Sequence, residues 1–122
     1  MKSIDVYNPG RDITAVATAA VTAKRFLRIT GNRSDGNIAV AHATAGGRIA
    51  GVAAADADAD ALVPIARGHS RVVKVTAGAA ITAFAEVEVG ADGKAIPATT
   101  GNAVGYAVTA AASGADAQIS LL

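Results

Sequence analysis

Three aspartates, Asp56, Asp58 and Asp60, alternate with alanine, and carboxylates at this spacing are typical of calcium-binding loops. An EF-hand loop that begins at Asp56 requires a glycine at its sixth position and a bidentate acid at its twelfth. Those positions hold Ala61 and Arg67, so the EF-hand interpretation fails. The sequence favours a hydrated acidic turn here and leaves a looser calcium site open as the alternative.

A second group of polar side chains, Arg67, His69 and Arg71, alternates in the segment IARGHSRVVK. On a β-strand these three side chains would share one face. They form either a hydrated strand face or a basic stripe that meets acidic groups on a partner. His42 and His69 are the only histidines, and neither has a serine or cysteine nucleophile at a recognisable spacing. The residues therefore show no catalytic grouping, and we expect a protein that is not an enzyme.

The composition favours association. The 122 residues fit one domain, and apolar residues make up 52% of them but aromatic residues only 3%. Because alanine dominates the apolar set, most buried side chains contribute less than the roughly 1.5–3 kcal/mol of a leucine or phenylalanine. The thin core predicts burial against sister subunits, with Phe84, Val87 and Leu121 among the covered residues.

Charge and hydropathy disfavour two classes of partner. The net charge of +1 and the scarcity of aromatic stacking platforms disfavour nucleic acid. No apolar run approaches the roughly 18 residues of a membrane span. We therefore expect neither nucleic acid nor a membrane as a partner.

Short apolar runs separated by turn sequences must position these polar residues. The segments SDGN and ADGK each place an Asp-Gly pair between alternating apolar runs, which is typical of β-hairpins. Most runs have the usual length of a strand, and none has the apolar stripe of a helix. Residues 20–122 are therefore predicted to form a single all-β domain, and residues 1–19 an extended N-terminal arm that reaches a partner.

The chain carries two related halves. AVTAKRFLRI at residues 20–29 and AITAFAEVEV at residues 80–89 match at an offset of 60 (80 − 20). Two copies are too few for a solenoid, so a small, tulip-like β-barrel or sandwich of two related sheets fits better. Arg28 and Glu88 would then occupy equivalent positions with opposite charge. Further matches keep the same order: GVA (51–53) with GYA (105–107), ADA (59–61) with ADA (115–117), and LVPI (62–65) with QISL (118–121).

This ordered set of segments resembles the tailed-bacteriophage capsid decoration, or cement, proteins of the DUF2190-like family. The resemblance is carried by an N-terminal arm with YNPGR, by GVA before a small and acidic loop, by the ADGK turn, and by TGN leading to VGYA and a terminal strand. It covers nearly the whole chain and is most specific in the C-terminal third. The sequence departs from the family pattern at Phe84-Ala85, which replace a Gly-Asp-like turn, and at DADADA, which replaces a loop containing glycine.

The resemblance implies a structural virion protein, made in the host cytoplasm, on the outer surface of the phage head. Such a protein binds neighbouring major capsid protein subunits and stabilises the expanded capsid against DNA pressure. The resemblance also implies self-association, most often as a homotrimer, with no cofactor. The residues expected to contact the capsid or a sister subunit lie in the arm, the basic stripe and the acidic turn: Tyr7, Asn8, Pro9, Arg11, Arg67, His69, Arg71, Asp56, Asp58 and Asp60.

Opposed charges are expected to set the orientation of these contacts, because surface ion pairs choose geometry more than they supply affinity. The basic and acidic sets that would face each other are Lys24, Arg25, Arg28, Arg67 and Arg71, and Asp56, Asp58, Asp60, Glu86 and Glu88. Two other classes stay open. A calcium-dependent or carbohydrate-binding β module, such as an adhesin or fibre component, would use the acidic turn. A small hydrolase would need His42 or His69 beside an acid or a hydroxyl.

Overall fold

The computed structural model describes residues 12–122, and in this part of the chain it is all-β, with ten strands and one short 3₁₀ turn at Ala91–Gly93. The predicted all-β class is confirmed. The strands are β1 (Ile13–Ala17), β2 (Phe26–Ile29), β3 (Ile38–His42), β4 (Gly51–Ala53), β5 (Leu62–Ala66), β6 (Val72–Thr76), β7 (Glu86–Val89), β8 (Ala95–Pro97), β9 (Gly105–Ala107) and β10 (Asp116–Leu121).

The first strand lies inside the folded body. β1 pairs in parallel with β3 and antiparallel with β5, and Ala15 and Ala17 are fully buried. The predicted arm therefore does not include residues 13–17, because the small side chains of β1 fit the narrow interior of a barrel. Residues 1–11, which include the candidate contacts Tyr7, Asn8, Pro9 and Arg11, lie outside the described residues.

The strands form two sheets of the same design. β1 to β5 close into a barrel in the order β1-β3-β2-β4-β5. β6 to β10 form a five-stranded sheet in the order β6-β10-β9-β7-β8, and its edges meet at one parallel bridge between Ala77 and Ala95. That bridge corresponds to the parallel pairing of β1 with β3, so the second sheet comes close to closing in the same way.

Strand registers confirm the two predicted halves. Leu27 pairs with Gly51 in the first half, and Val87 pairs with Gly105 in the second, at offsets of 60 (87 − 27) and 54 (105 − 51). The same two offsets relate the β1–β5 pairing to the β6–β10 pairing. The first half thus begins at β1, and one strand arrangement is built twice along the chain.

In the structure the last strands of the two halves are related by an offset of 54 (116 − 62), whereas the sequence motifs favour an offset of 56 (115 − 59). Leu62 is equivalent to Asp116, since each is the first residue of the last strand in its half. Each also pairs with the first strand of that half, Leu62 with Val16 and Asp116 with Thr76. Asp60 is equivalent to Gly114, and both have positive φ, 68° and 85°, in the turn before that strand. The sequence match was shifted because alanine and aspartate recur in these segments, and such repeats do not distinguish one strand register from another.

The two halves share one of the two core clusters. Phe26 and Leu27 are both fully buried, but neighbouring side chains on a strand point to opposite faces. Leu27 packs inside the first barrel, whereas Phe26 packs with Val52 against the core of the second half, which includes Val75 and Val89. The first half therefore completes the core of the second.

Candidate functional site

A groove of about 400 Å³ on the first half is lined by three arginines. Arg28 lies on β2, Arg48 in the β3–β4 loop, and Arg67 directly after β5. The sequence prediction included Arg28 and Arg67 but missed Arg48, which follows two glycines in the segment AGGR. The remaining lining residues are Ile29, Thr44, Ile49 and Ala50.

The arginine groove has unused hydrogen-bonding capacity. Arg28 is half-buried, and its Nε is buried without a hydrogen-bond partner among residues 12–122. A guanidinium has five N–H donors in a planar fork that matches a carboxylate. The groove therefore has the chemistry to receive an acidic group.

The equivalent place in the second half is occupied by the protein itself. Glu88, equivalent to Arg28, is only 4% exposed. Its Oε1 accepts hydrogen bonds from the hydroxyl of Thr99 at 2.7 Å and from the backbone N–H of Thr99 at 2.6 Å. These bonds lower the pKa of Glu88 because they stabilise the carboxylate, the hydroxyl bond contributing most. The second half thus pairs this position with its own loop, whereas the first half leaves arginines around an open groove.

The TGN segment joins the two halves. The backbone N–H and the Nδ2 of Asn102 both donate to the carbonyl of Gly46, at 3.0 and 3.1 Å. The N–H of Gly46 donates to the carbonyl of Val89 at 2.8 Å. A Cβ atom on Gly101 would overlap the Glu88 carboxylate and come within 2.5 Å of the Gly46 Cα, so the close approach requires glycine. This segment, which carries part of the family resemblance, is therefore a structural clasp.

The predicted basic stripe does not share one strand face. Arg67, His69 and Arg71 lie in the connection between the halves, where Ser70 has a φ of 62° and the chain turns. Arg67 lines the arginine groove, and a smaller pocket of about 180 Å³ continues from it to His69. Arg71 instead forms a salt bridge with Asp12 at 2.7 Å. The turn thus brings Arg67 and His69 to adjoining pockets, while Arg71 also donates from its Nη1 to the carbonyl of Arg67 at 3.3 Å.

The acidic turn lines a different pocket, next to Val21. Asp56 accepts a hydrogen bond from the backbone N–H of Ala23 at 2.7 Å, and Asp58 and Asp60 are exposed. Within residues 12–122, no group of three or more His, Asp or Glu side chains is placed to hold a metal ion. The structure therefore gives Asp56 a local structural role and does not bring the turn to the arginine groove.

Part of the predicted pairing of opposed charges is wrong. Glu88 is buried and bound to Thr99, and Lys24 pairs with Asp116 of the same chain at 2.8 Å. Because the two halves of one chain lie against each other, they satisfy these charges without a second molecule. Arg71, paired with Asp12, is likewise engaged within the chain.

Only one of the three apolar residues predicted to be covered by sister subunits is exposed. Val87 is fully buried and Leu121 is 4% exposed, because both belong to the core of the second half. Phe84 is 78% exposed and packs edge-on against Tyr106, with ring centroids 5.2 Å apart. This aromatic pair forms a second exposed surface, on the second half of the chain.

The histidines have separate environments. His42 is half-buried, and its Nε2 accepts a hydrogen bond from the backbone N–H of Thr22 at 2.9 Å. Burial, and after it the charge of Arg25, lowers the pKa of His42, so the neutral imidazole persists as the acceptor. His69 is exposed in the connecting turn. Over the described stretch, no helix has the length and apolarity needed to cross a membrane.

Two repeated β-barrel-like sheets, a structural clasp and an arginine groove define a structural or binding module. A family model for phage cement proteins matches residues 7–121, and the chain belongs to that family. Its structure is similar to that of the N base of head fibre gp8.5 in bacteriophage phi29, with a TM-score of 0.77 and 28% sequence identity over 91% of this chain and 92% of that one. A comparison with curated proteins gave no match. The protein is thus a structural protein associated with the phage head.

Proposed function

We propose that the protein binds the outer surface of the phage head and holds neighbouring major capsid protein subunits together, which stabilises the expanded capsid. Membership of the cement family supports this role, as does the similarity to a head fibre base. The observation that carries the proposal is the groove in which Arg28, Arg48 and Arg67 meet. Its function is recognition, with no reaction and no cofactor.

The groove suits an acidic segment of the major capsid protein. Arginine binds a carboxylate through two parallel hydrogen bonds, and it is weakly hydrated, so little is lost when the pair leaves water. The net charge of the chain is only +1, so the three arginines are a local feature and not a general excess. We therefore expect binding that is specific in orientation and weaker at high salt, because salt screens exposed charge pairs.

The test is a binding titration with expanded, undecorated heads of the phage that encodes the protein. Bound protein is measured by sedimentation for the wild type, for the double variant Arg48→Glu/Arg67→Glu, and for Lys74→Glu, which makes the same type of change at an exposed site on β6. The groove variant should bind about tenfold or more weakly, a loss of roughly 1.4 kcal/mol. Equal binding by the groove variant and Lys74→Glu would exclude the groove as the contact.

The residues before β1 are proposed as a second capsid contact. An extended segment can add a strand to an exposed sheet edge, where main-chain hydrogen bonds supply affinity. Deleting residues 1–11 leaves all five strands of the first barrel in place. We expect an unchanged melting temperature and weaker binding to heads; full binding by the truncated protein would refute this contact.

The similarity to a head fibre base favours a second candidate function, the attachment of a fibre to the head. That comparison covers 92% of the gp8.5 N base chain. Cryo-electron microscopy of decorated heads distinguishes the two functions. Density that bridges capsid subunits supports cementing, and density that contacts a single site and carries a projecting fibre supports attachment.

A further inference from the structure

The two halves of the chain meet through two defined faces. The front face of the first half contains Lys24, Phe26 and Val52, and the rear face of the second half contains Val89 and Asp116. Lys24 forms a salt bridge with Asp116 at 2.8 Å, while Phe26 and Val52 share a core cluster with Val89. Since each half repeats the same strand arrangement, each half has its own front face and its own rear face.

The front face of the second half is uncovered. The offsets of 60 and 54 place Phe84 at the position of Lys24 (84 − 24) and Tyr106 at the position of Val52 (106 − 52). Val52 is 2% exposed, whereas Tyr106 is 36% and Phe84 78% exposed. With Leu122 they line a groove of about 330 Å³.

The rear face of the first half is uncovered as well. Ile29 is equivalent to Val89 (89 − 29 = 60), and Leu62 is equivalent to Asp116 (116 − 62 = 54). Ile29 is 54% exposed and Leu62 is 61% exposed. Five of the seven large apolar side chains that are exposed in residues 12–122 therefore lie on these two free faces: Ile29, Leu62, Phe84, Tyr106 and Leu122.

Residue types on the free faces complement each other. The Lys24–Asp116 ion pair of the internal contact is replaced at the equivalent positions by Phe84 and Leu62, which are both apolar. A face that stays exposed to solvent would be expected to carry charged residues at these positions and not apolar ones.

The free front face also carries one acid, Glu86, at the position of Phe26.

The backbone conformation of Phe84 is a separate indication that the front face of the second half binds a partner. Its φ of 66° lies in the left-handed region, which is uncommon for a bulky aromatic residue. Lys24 has the same conformation, with a φ of 63°, so this turn occurs in both halves. Only the second half, whose front face is uncovered, has an aromatic side chain at this position. Strained residues of this kind concentrate at binding sites.

We infer that a second copy of the chain docks the rear face of its first half on the front face of this chain's second half. The contact repeats between molecules the one that joins the halves within a molecule, and it brings Leu62 against Phe84. It joins two different surfaces, so it closes into a ring or continues as an open chain. Self-association of this kind does not depend on binding to the head.

The experiment measures the mass of the purified full chain against concentration by sedimentation velocity. The variants are Phe84→Lys, Leu62→Asp and their double, which places a lysine and an aspartate where Lys24 and Asp116 pair internally. Each single variant should raise the concentration needed for assembly by roughly tenfold or more, since it removes one buried apolar side chain and adds an unpaired charge. The double variant should recover assembly, in part, through the new ion pair.

A matched control is Val108→Thr. Val108 is 43% exposed, but the equivalent Ala54 (108 − 54 = 54) is exposed and belongs to neither core cluster, so the control lies off both faces. Its assembly should match the wild type. Phe84→Asn tests folding separately, because asparagine tolerates the left-handed conformation. We expect the Phe84→Asn variant to have the melting temperature of the monomeric wild type and nevertheless to lose assembly.

Three results would overturn the inference. The first is that the wild type stays monomeric at all concentrations. This includes the case in which the face with Phe84 and Tyr106 binds a carbohydrate and not a second copy. The second is loss of assembly by Phe84→Lys with none by Leu62→Asp, which indicates a symmetric contact between two front faces. The third is assembly by both single variants at wild-type concentrations.

Discussion

Replacement of Phe26 by alanine is expected to weaken the junction between the two halves of the protein. Phe26 is fully buried and packs in the core cluster of the second half although it belongs to the first. Its neighbour Leu27 is equally buried but packs inside the first barrel. Leu27→Ala is therefore a matched control: a large apolar side chain is removed one residue away, from the other core.

Each substitution leaves a cavity in a closely packed interior. Phenylalanine-to-alanine changes in cores cost about 3–5 kcal/mol and leucine-to-alanine changes about 2–5 kcal/mol, from lost transfer free energy and the residual cavity. Total stabilities are only about 5–15 kcal/mol, so either variant loses a large share. For a chain of 122 residues, the loss for Phe26→Ala corresponds to a decrease in melting temperature of roughly 10–25 °C.

Urea denaturation gives the free energy of unfolding, and hydrogen exchange gives its distribution. For Phe26→Ala we expect the largest increase in exchange in β6 to β10, because that core loses its cover. For Leu27→Ala we expect the increase in β1 to β5. A loss below about 1 kcal/mol for Phe26→Ala, or the same exchange pattern in both variants, would refute the idea that Phe26 completes the core of the second half.

The remaining predictions concern acid stability and the clasp. The pKa of Glu88 is lowered from 4.5, so its carboxylate contributes stability that is present above pH 4.5 and lost as the pH falls through the folded-state pKa. Glu88→Gln should be less stable than the wild type at pH 7 and approach it near pH 3 in urea titrations; a constant difference would contradict this. The pKa of His42 is lowered from 6.5, so folding favours the neutral imidazole, and its contribution is present above pH 6.5 and lost below it. His42→Gln should flatten the pH dependence of the melting temperature between pH 7 and pH 5, and an unaltered slope would assign it to other groups. Gly101→Ala should decrease the melting temperature, because the new methyl group overlaps Glu88, whereas Gly31→Ala, with nothing within 4 Å of its Cβ position, should not.

The opposite charges at Arg28 and Glu88 have a structural explanation. The two residues occupy equivalent positions of a repeated fold, but the loop of the second half closes over Glu88 and hydrogen-bonds it. The loop of the first half instead contributes Arg48 to an open groove. One strand arrangement thus supports a clasp in one half and a candidate binding site in the other.

The sequence by itself determined the local structure and the repeat. Asp-Gly turns and apolar alternation specify short strands through interactions between near neighbours, so the all-β class could be read without the fold. The 60-residue offset between AVTAKRFLRI and AITAFAEVEV identified the two halves, since both copies must keep the same buried positions. The ordered motifs were sufficient to indicate the cement family.

Only the tertiary structure decided which residues meet. It placed β1 in the barrel, where β3 and β5 bury a segment that the sequence assigned to the extended arm, and it moved the equivalence of the last strands by two residues. It buried Glu88, expected at a surface contact, and added Arg48 to the groove. These outcomes depend on contacts between segments far apart in the chain. Local patterns contain the period of a strand, but the neighbours of each side chain are set by how the strands pair and how the two halves pack.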